Sequence, residues 1–335
     1  MALFKRKSRP EPVAVSDPPP EHVLEEIGRL SQEWRAEPSA DTERELLRLR
    51  HLAGVRLIDA GDRAPDYAAP DDAALPAGGL PEIAAADLTP GLLRAGILRD
   101  GCLLVRGLVP REEALALAAG IDRALAARDT GSEDEDGLYE AFVPEDGYEV
   151  NERPWIEQGG GVLAADSPAL ATRMLDLYER AGLPRLVEGY LGERGLLSVH
   201  KTTLRKASPE VGGAWHQDGA FMGDARALNL WLSLSRCGDE APGLDLVPRR
   251  LDEIVIEHDE MLYVDLTRER AAEAAAAGGV EIVRPIFEPG DALFFDEMFL
   301  HQTGSDPSMP NPRFAIESWF FGAHGFPADY APLAV

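Results

Sequence analysis

The sequence predicts a mainly β domain with flanking helices, its short antiparallel strands closing into a jelly-roll, cupin-like barrel. Three observations lead there. Alternating or fully apolar runs at 227–234, 244–248, 292–295 and 313–320 read as a series of short strands. Turn signals separate them: Asp218-Gly219, Glu240-Ala241-Pro242-Gly243 and Glu288-Pro289-Gly290-Asp291. Within this series His216 stands next to a turn, which suits a barrel whose mouth holds a ligand.

The run Trp215-His216-Gln217-Asp218 carries the chemistry. On a strand, residues i and i+2 share a face, so His216 and Asp218 can offer one imidazole and one carboxylate to a single point. His301, from a distant strand, would complete a two-histidine, one-carboxylate face. That set holds Fe(II) on three sites and leaves three open for an organic co-substrate and O2. Arg313 adds a planar guanidinium that can grip a carboxylate with two parallel hydrogen bonds. Together these residues point to an iron- and 2-oxoglutarate-dependent oxygenase. The His-x-Asp pair alone is a weak signal among seven histidines and 59 acidic residues, and His258-Asp259-Glu260 repeats its form. Context separates the two, because only His216 has the Gly-rich approach Glu210-Val211-Gly212-Gly213-Ala214 and the strands described above.

Residues 95 to 322 resemble the phytanoyl-CoA dioxygenase family of Fe(II)/2-oxoglutarate oxygenases. The resemblance rests on the opening Arg99-Asp100-Gly101-Cys102-Leu103-Leu104-Val105-Arg106-Gly107-Leu108, on His216-Gln217-Asp218, and on the strand Asn229-Leu230-Trp231-Leu232-Ser233. It continues through Glu288-Pro289-Gly290-Asp291 and His301-Gln302-Thr303-Gly304 to Asn311-Pro312-Arg313. It implies a double-stranded β-helix core with flanking helices, and iron on His216, Asp218 and His301. Arg313 would hold the distal carboxylate of 2-oxoglutarate, helped by Thr303 and Trp231. The expected reaction hydroxylates a small-molecule metabolite with O2 and releases succinate and CO2. Related halogenases have Gly or Ala where this chain has Asp218, so the carboxylate implies hydroxylation or desaturation. One departure matters: Val247-Pro248-Arg249-Arg250 stands where the family often has Pro-Gly-Ser-His, so a fatty acyl-CoA substrate does not carry over. Two rivals need less of the pattern. A cupin-like metal-dependent isomerase or small-molecule binding protein would keep the three ligands without Arg313 or Thr303, and a silent family member would serve as an interaction protein.

Charge narrows the partners. The chain has 335 residues, with 33 basic and 59 acidic side chains giving a net charge of −26. That field disfavours nucleic acid and anionic membranes and leaves a small molecule as the expected partner. The state expected is monomer or homodimer. Two cysteines, Cys102 and Cys237, in apolar surroundings give no disulfide framework and suit a reducing cytoplasm. The basic start Met1 to Lys7 lacks the apolar stretch of a signal peptide, and no run approaches the roughly 18 apolar residues of a membrane span.

Four segments are expected: a disordered Pro-rich tail at 1–20, a helical and irregular extension at 21–94, the oxygenase domain at 95–325 and a C-terminal tail at 326–335. In the extension, Val23, Ile27, Leu30 and Trp34 recur at helical spacing, and Asp41 could cap a second helix. Residues 60–90 read as an irregular connector. In the domain, Leu115, Ala118, Ile121 and Leu125 predict the buried stripe of a helix entered at Pro110, and 196–206 reads as one long strand. An acidic loop at 129–137 and an Ala-rich helix at 267–277 complete the pattern. His200, Lys201, Arg205 and Lys206 could line the pocket and meet a substrate carboxylate or phosphate, as could Arg249 and Arg250.

Overall fold

A computed structural model describes residues 19–58, 64–76, 78–131, 137–145, 147–223, 225–256 and 266–335. Residues 1–18 of the tail expected at 1–20, most of the acidic loop and the alternative motif at His258 lie outside the described residues, and Pro20 already belongs to the first helix. The described residues begin with a packed helical pair, α1 (Pro20–Ala36) and α2 (Ala40–Ile58). Val23, Ile27 and Trp34 of α1 bury against Leu46, Leu49 and Ala53 of α2, as their helical spacing requires. The Trp34 indole donates to Glu43 at 2.9 Å. Ser39, not Asp41, caps α2, its hydroxyl accepting from the Thr42 N–H at 3.3 Å.

Part of the irregular connector is a strand. β1 (Glu82–Ala84) runs parallel to β2 (Cys102–Arg106), and the crossover is α3 (Pro90–Asp100). Thr89 caps α3, and Gly101 ends it at φ 81°, a conformation only glycine adopts cheaply. Then come α4 (Arg111–Thr130), α5 (Arg153–Gln158), β3 (Gly161–Leu163), α6 (Pro168–Arg180) and α7 (Leu183–Leu191). The buried stripe of α4 is Ala114, Leu117, Ala118, Ile121 and Ala124, whereas Leu115 is 43% exposed, a correction of one helical position.

The expected long strand is two, β4 (Gly195–Ser198) and β5 (Thr203–Ala207). A turn divides them, held by the Thr202 hydroxyl donating to the Ser198 carbonyl at 2.7 Å, and it carries His200 and Lys201. The remaining elements are α8 (Gly219–Met222), β6 (Ala227–Ser233), β7 (Gly243–Leu246), α9 (Arg268–Ala277), β8 (Ala292–Phe295), β9 (His301–Gly304), β10 (Arg313–Gly322) and β11 (Pro332–Ala334). Residues 326–335 are therefore not a tail. β11 pairs with β4, and Ala331, Leu333 and Ala334 are buried.

The large sheet runs β1-β2-β8-β6-β10-β4-β11, with β5 also on β10 and β3 on β5. A smaller sheet, β7-β9, is widened by bridges from Trp215 to Leu266, His216 to His301 and Leu246 to Val283. Side-chain alternation along β6 shows how the two layers are used. Leu228, Leu230 and Leu232 pack toward the helices with Leu170, Met174 and Ile121. Ala227 and Trp231 point the other way, into the barrel, with Leu293, Phe295, Ala315 and Trp319. This is the expected jelly-roll core with flanking helices. Among the described residues no helix is long and apolar enough to cross a membrane.

Candidate active site

His216 and His301 face each other across the smaller sheet. Each donates its backbone N–H to the other's carbonyl, at 3.0 and 3.1 Å, and their ring centroids lie 4.5 Å apart. Asp218 reaches the same point by a different route from the one expected. With φ −63° and ψ −26° it precedes α8 in a helical conformation, so the strand rule for i and i+2 does not place it. The turn from His216 to Gly219 does. Gln217 pins that turn: its amide nitrogen donates to the Met298 carbonyl at 2.7 Å and its oxygen accepts from the Val255 N–H at 2.7 Å. Gly219 donates to the Glu297 carbonyl at 2.7 Å, and a Cβ there would lie 3.0 Å from that oxygen. The turn is thus locked to the segment leading into His301.

One ligand atom from each of His216, Asp218 and His301 falls within 4.8 Å of the others. The Nε2 atoms of His216 and His301 lie 4.0 and 3.9 Å from the two Asp218 oxygens. Each Nδ1 donates to the carbonyl two residues earlier, Ala214 at 2.9 Å and Phe299 at 3.0 Å. This outer contact leaves both Nε2 lone pairs directed at the shared point, as a metal ligand requires. Burial pushes the Asp218 carboxyl up to about 6. Burial, followed by the neighbouring His216, pushes His301 down to about 3. Two imidazole nitrogens and one carboxylate converging in this way, with Asp218 and His301 buried, suit a divalent cation.

Unpartnered polar atoms mark the same region. Asp218 Oδ2, both amide atoms of Asn229, and Arg313 Nε are buried with no hydrogen bond among the described residues. Native interiors rarely leave such groups unpaired, so ordered water or a bound molecule would meet them. Asn229 shares the barrel-facing side of β6 with Trp231 and lies opposite Phe295, whose ring is 4.8 Å from that of His301. Arg313 begins β10 and is only 2% exposed. It donates to the Gly243 carbonyl at 3.0 Å and stacks over Trp231, 5.3 Å from the ring centroid. Among the described residues no carboxylate lies within 4.0 Å of it, and burial lowers the guanidinium to about 10, still cationic at neutral pH. Thr303 follows His301 on β9 and pairs with Leu244, next to the Gly243–Gly304 pair that Arg313 reaches. Gly213 packs on Thr303, where a Cβ would lie 3.0 Å from the Thr303 nitrogen, which explains the Gly-rich approach to His216.

The structure therefore brings His216, Asp218 and His301 to one point and lines the barrel beside them with Trp231 and Arg313. Other candidates are used elsewhere. His200 is buried, with one ring nitrogen on the Glu149 carbonyl at 2.9 Å and the other accepting from the Ala331 N–H at 3.0 Å. Lys206 pairs with Asp122 on the outer surface. Arg250 forms an ion pair with buried Asp296 and is structural, not a substrate contact. Arg205 pairs with Glu317 at 3.4 Å inside the barrel. The spacing of Glu317 from Arg313 puts both on one face of their strand, whereas sequence reasoning missed Asn229, Phe221 and Tyr330 as neighbours of the site. Asn229 could have been found as the one amide in an apolar strand. Tyr330 carries no such signal.

A jelly-roll barrel holding this donor set and a buried, unpaired arginine defines an enzyme of the iron- and 2-oxoglutarate-dependent oxygenase type. The chain belongs to the phytanoyl-CoA dioxygenase (PhyH) family, whose sequence profile matches residues 97–313. Iron, 2-oxoglutarate and O2 are the cofactor and co-substrates of that family. Comparison with curated proteins gives no match. Among solved structures, EctD from S. alaskensis with 2-oxoglutarate and 5-hydroxyectoine is 20% identical, covering 71% of this chain and 79% of that one, with a TM-score of 0.51. That likeness establishes the shared fold. AviO1 from Streptomyces viridochromogenes Tue57 is 18% identical over 72% of this chain and 98% of its own, with a TM-score of 0.47. The epimerase SnoN, in complex with Fe3+, alpha-ketoglutarate and nogalamycin RO, is 20% identical over 70% of this chain and 83% of its own, with a TM-score of 0.44.

Proposed function

We propose that the protein hydroxylates a small-molecule metabolite, with His216, Asp218 and His301 as its three iron ligands. Arg313 is the binding group for the distal carboxylate of 2-oxoglutarate. The observation that carries this reading is Arg313 itself, a cation 2% exposed, facing the barrel, with no carboxylate partner among the described residues. A metal-dependent isomerase that works without 2-oxoglutarate, or a passive metal binder, has no use for such a group, whose burial is costly unless a ligand pairs it.

Iron and 2-oxoglutarate, when bound, supply the oxidising chemistry, and 2-oxoglutarate leaves as succinate and CO2. The chain supplies geometry. The carbonyls of Ala214 and Phe299 hold the two imidazoles in their donor tautomer. Trp231 backs the Arg313 guanidinium and Gly243 fixes one of its nitrogens, leaving Nε and the rest of the fork for a carboxylate. Thr303 stands on the same strand as His301 and offers a hydroxyl to that carboxylate. Asn229 offers an unpartnered amide to the co-substrate or to a water beside it. Phe295, Phe299 and Trp319 exclude bulk water from the far side of His301. EctD, the structure with 5-hydroxyectoine, lends hydroxylation its support by fold.

The test begins without oxygen, where 2-oxoglutarate chelating Fe(II) gives a weak visible band. Wild type should form it, and succinate release under O2 should then rise with one member of a metabolite library whose product gains one oxygen. Absence of the band sinks the oxygenase reading. A product of unchanged mass sinks hydroxylation and favours an epimerisation.

A further inference from the structure

Access to the metal centre is one-sided. The side chains of Asp218 and His301 are 8% and 6% exposed, whereas His216 is 28% exposed. A substrate must therefore approach past His216. Phe221, 45% exposed, stacks on that imidazole with centroids 6.5 Å apart and planes at 28°. Over the Phe221 ring sits the Lys201 ammonium, 4.6 Å from its centroid and 5.8 Å from that of Tyr330. Three segments distant in sequence thus meet at this entrance: the β4–β5 turn, α8, and the stretch before β11.

Lys201 differs from the other cations of its segment. Lys206 is paired with Asp122 and Arg205 with Glu317, but no carboxylate of the described residues comes within 4.0 Å of Lys201. This is unusual in a chain with 59 acidic side chains against 33 basic ones. Acidic groups do stand nearby. Asp329, Glu152 and Asp218 act on Tyr330, the Lys201 charge in turn favours the Asp218 carboxylate, and Glu152 approaches His200 at 3.7 Å. The ammonium rests instead on two aromatic faces, which position it while its three N–H donors meet no acceptor among the described residues. A net charge of −26 repels an anion, so an anionic substrate needs a local cation at the entrance.

We propose that Lys201, with Phe221 and Tyr330, forms the substrate subsite. It takes a small molecule bearing an anionic group, a carboxylate or a phosphate monoester, joined to an apolar portion. The ammonium holds the anion, and the two rings pack the apolar portion beside His216. This inference rests on the oxygenase reading of the metal centre but concerns a different group. Lys201 is a specificity-determining residue that leaves iron and 2-oxoglutarate to the residues already assigned.

The experiment uses the full chain loaded anaerobically with Fe(II) and 2-oxoglutarate, with calorimetric titration of four probes. These are 3-phenylpropionate, phenyl phosphate, and the neutral controls 3-phenylpropanamide and benzyl alcohol. At least one anion should bind, and bind better than its neutral control. Lys201→Gln should weaken it by about tenfold to a hundredfold, the scale of one charge-assisted hydrogen bond lost. Lys201→Arg should restore most of the affinity, and the visible Fe(II)–2-oxoglutarate band should be unchanged in both variants. Preference for phenylpropionate or for phenyl phosphate identifies the anion, and either supports the subsite. The inference is overturned if neither anion binds wild type, if the neutral controls bind equally well, or if Lys201→Gln binds the anions like wild type. Loss of the band in wild type marks failure of the oxygenase reading instead.

Discussion

Replacing Arg313 by methionine should leave the protein nearly as stable as wild type in the absence of 2-oxoglutarate, while removing its ability to bind that co-substrate. The magnitudes follow from the environment of the guanidinium. Burial brings it down to about 10, a cost of roughly 3 kcal/mol for keeping the charge inside the barrel. Opposing this are the hydrogen bond to the Gly243 carbonyl, about 2 kcal/mol for a charged donor, and the contact with Trp231, about 1 kcal/mol. The terms nearly cancel, and methionine fills similar space with an apolar chain. Unfolding in urea should therefore give a stability within about 1 kcal/mol of wild type, not the 3–5 kcal/mol lost when a satisfied buried ion pair is broken. With co-substrate the comparison reverses. Its carboxylate would be left buried and unpaired, so the dissociation constant should rise roughly a hundredfold to several thousandfold. Arg313→Lys should recover only part, because a point charge does not reproduce the planar fork. The assay pairs urea unfolding with and without 2-oxoglutarate and Fe(II) against titration of the anaerobic visible band. A methionine variant that loses several kcal/mol on its own yet still binds 2-oxoglutarate would show Arg313 to be a structural residue and refute the argument.

Other expectations follow from the same contacts. His216→Ala should abolish stoichiometric Fe(II) binding with little loss of helicity, and full iron affinity by calorimetry would remove it from the ligand set. Arg250→Ala should cost about 3 kcal/mol in urea unfolding by leaving Asp296 buried with only Tyr190 and the Met298 N–H, and the added change Asp296→Asn should recover much of it. Ile121→Ala should cost about 2–4 kcal/mol, whereas Leu115→Ala should stay within about 0.5 kcal/mol, since only the first side chain is buried. Ending the chain at Pro327 should lower the unfolding midpoint sharply, because it removes β11 and the buried Ala331 and Leu333; an unchanged midpoint would make that strand dispensable.

The chemistry of the site was more legible than the path of the backbone through it. β6, β8 and β10 announce themselves through alternation or sustained apolarity, and His216, Asp218, His301 and Arg313 stand out by residue type and order. Strands of three or four residues have too few positions to show a period, so β1 and β11 disappeared into a connector and a tail. The turn at 199–202 was hidden because Val199 and the threonines around it favour a strand, while a single hydroxyl-to-carbonyl bond decides otherwise. Leu115 was misplaced because small alanines and Gly120 share the packed face of α4, so the larger side chain did not mark the interior. The meeting of Lys201, Phe221 and Tyr330 belongs to tertiary structure alone, since no local pattern links residues so far apart.

The clasp between α2 and β11 bears on how the protein is made. Arg50 donates to the Ala334 carbonyl at 3.0 Å and His51 contacts that of Pro332 at 2.9 Å, across separations of 284 and 281 residues. Ala334 also belongs to the apolar cluster of the first two helices. During synthesis that helical pair must wait, one apolar face uncovered, while the intervening chain emerges over roughly 15–60 s at ordinary elongation rates. Closure of the large sheet on β4 waits for the same residues. The nascent chain should accordingly depend on chaperones bound to its first 60 or so residues, and late translational stalling should produce aggregation in preference to a partly active enzyme.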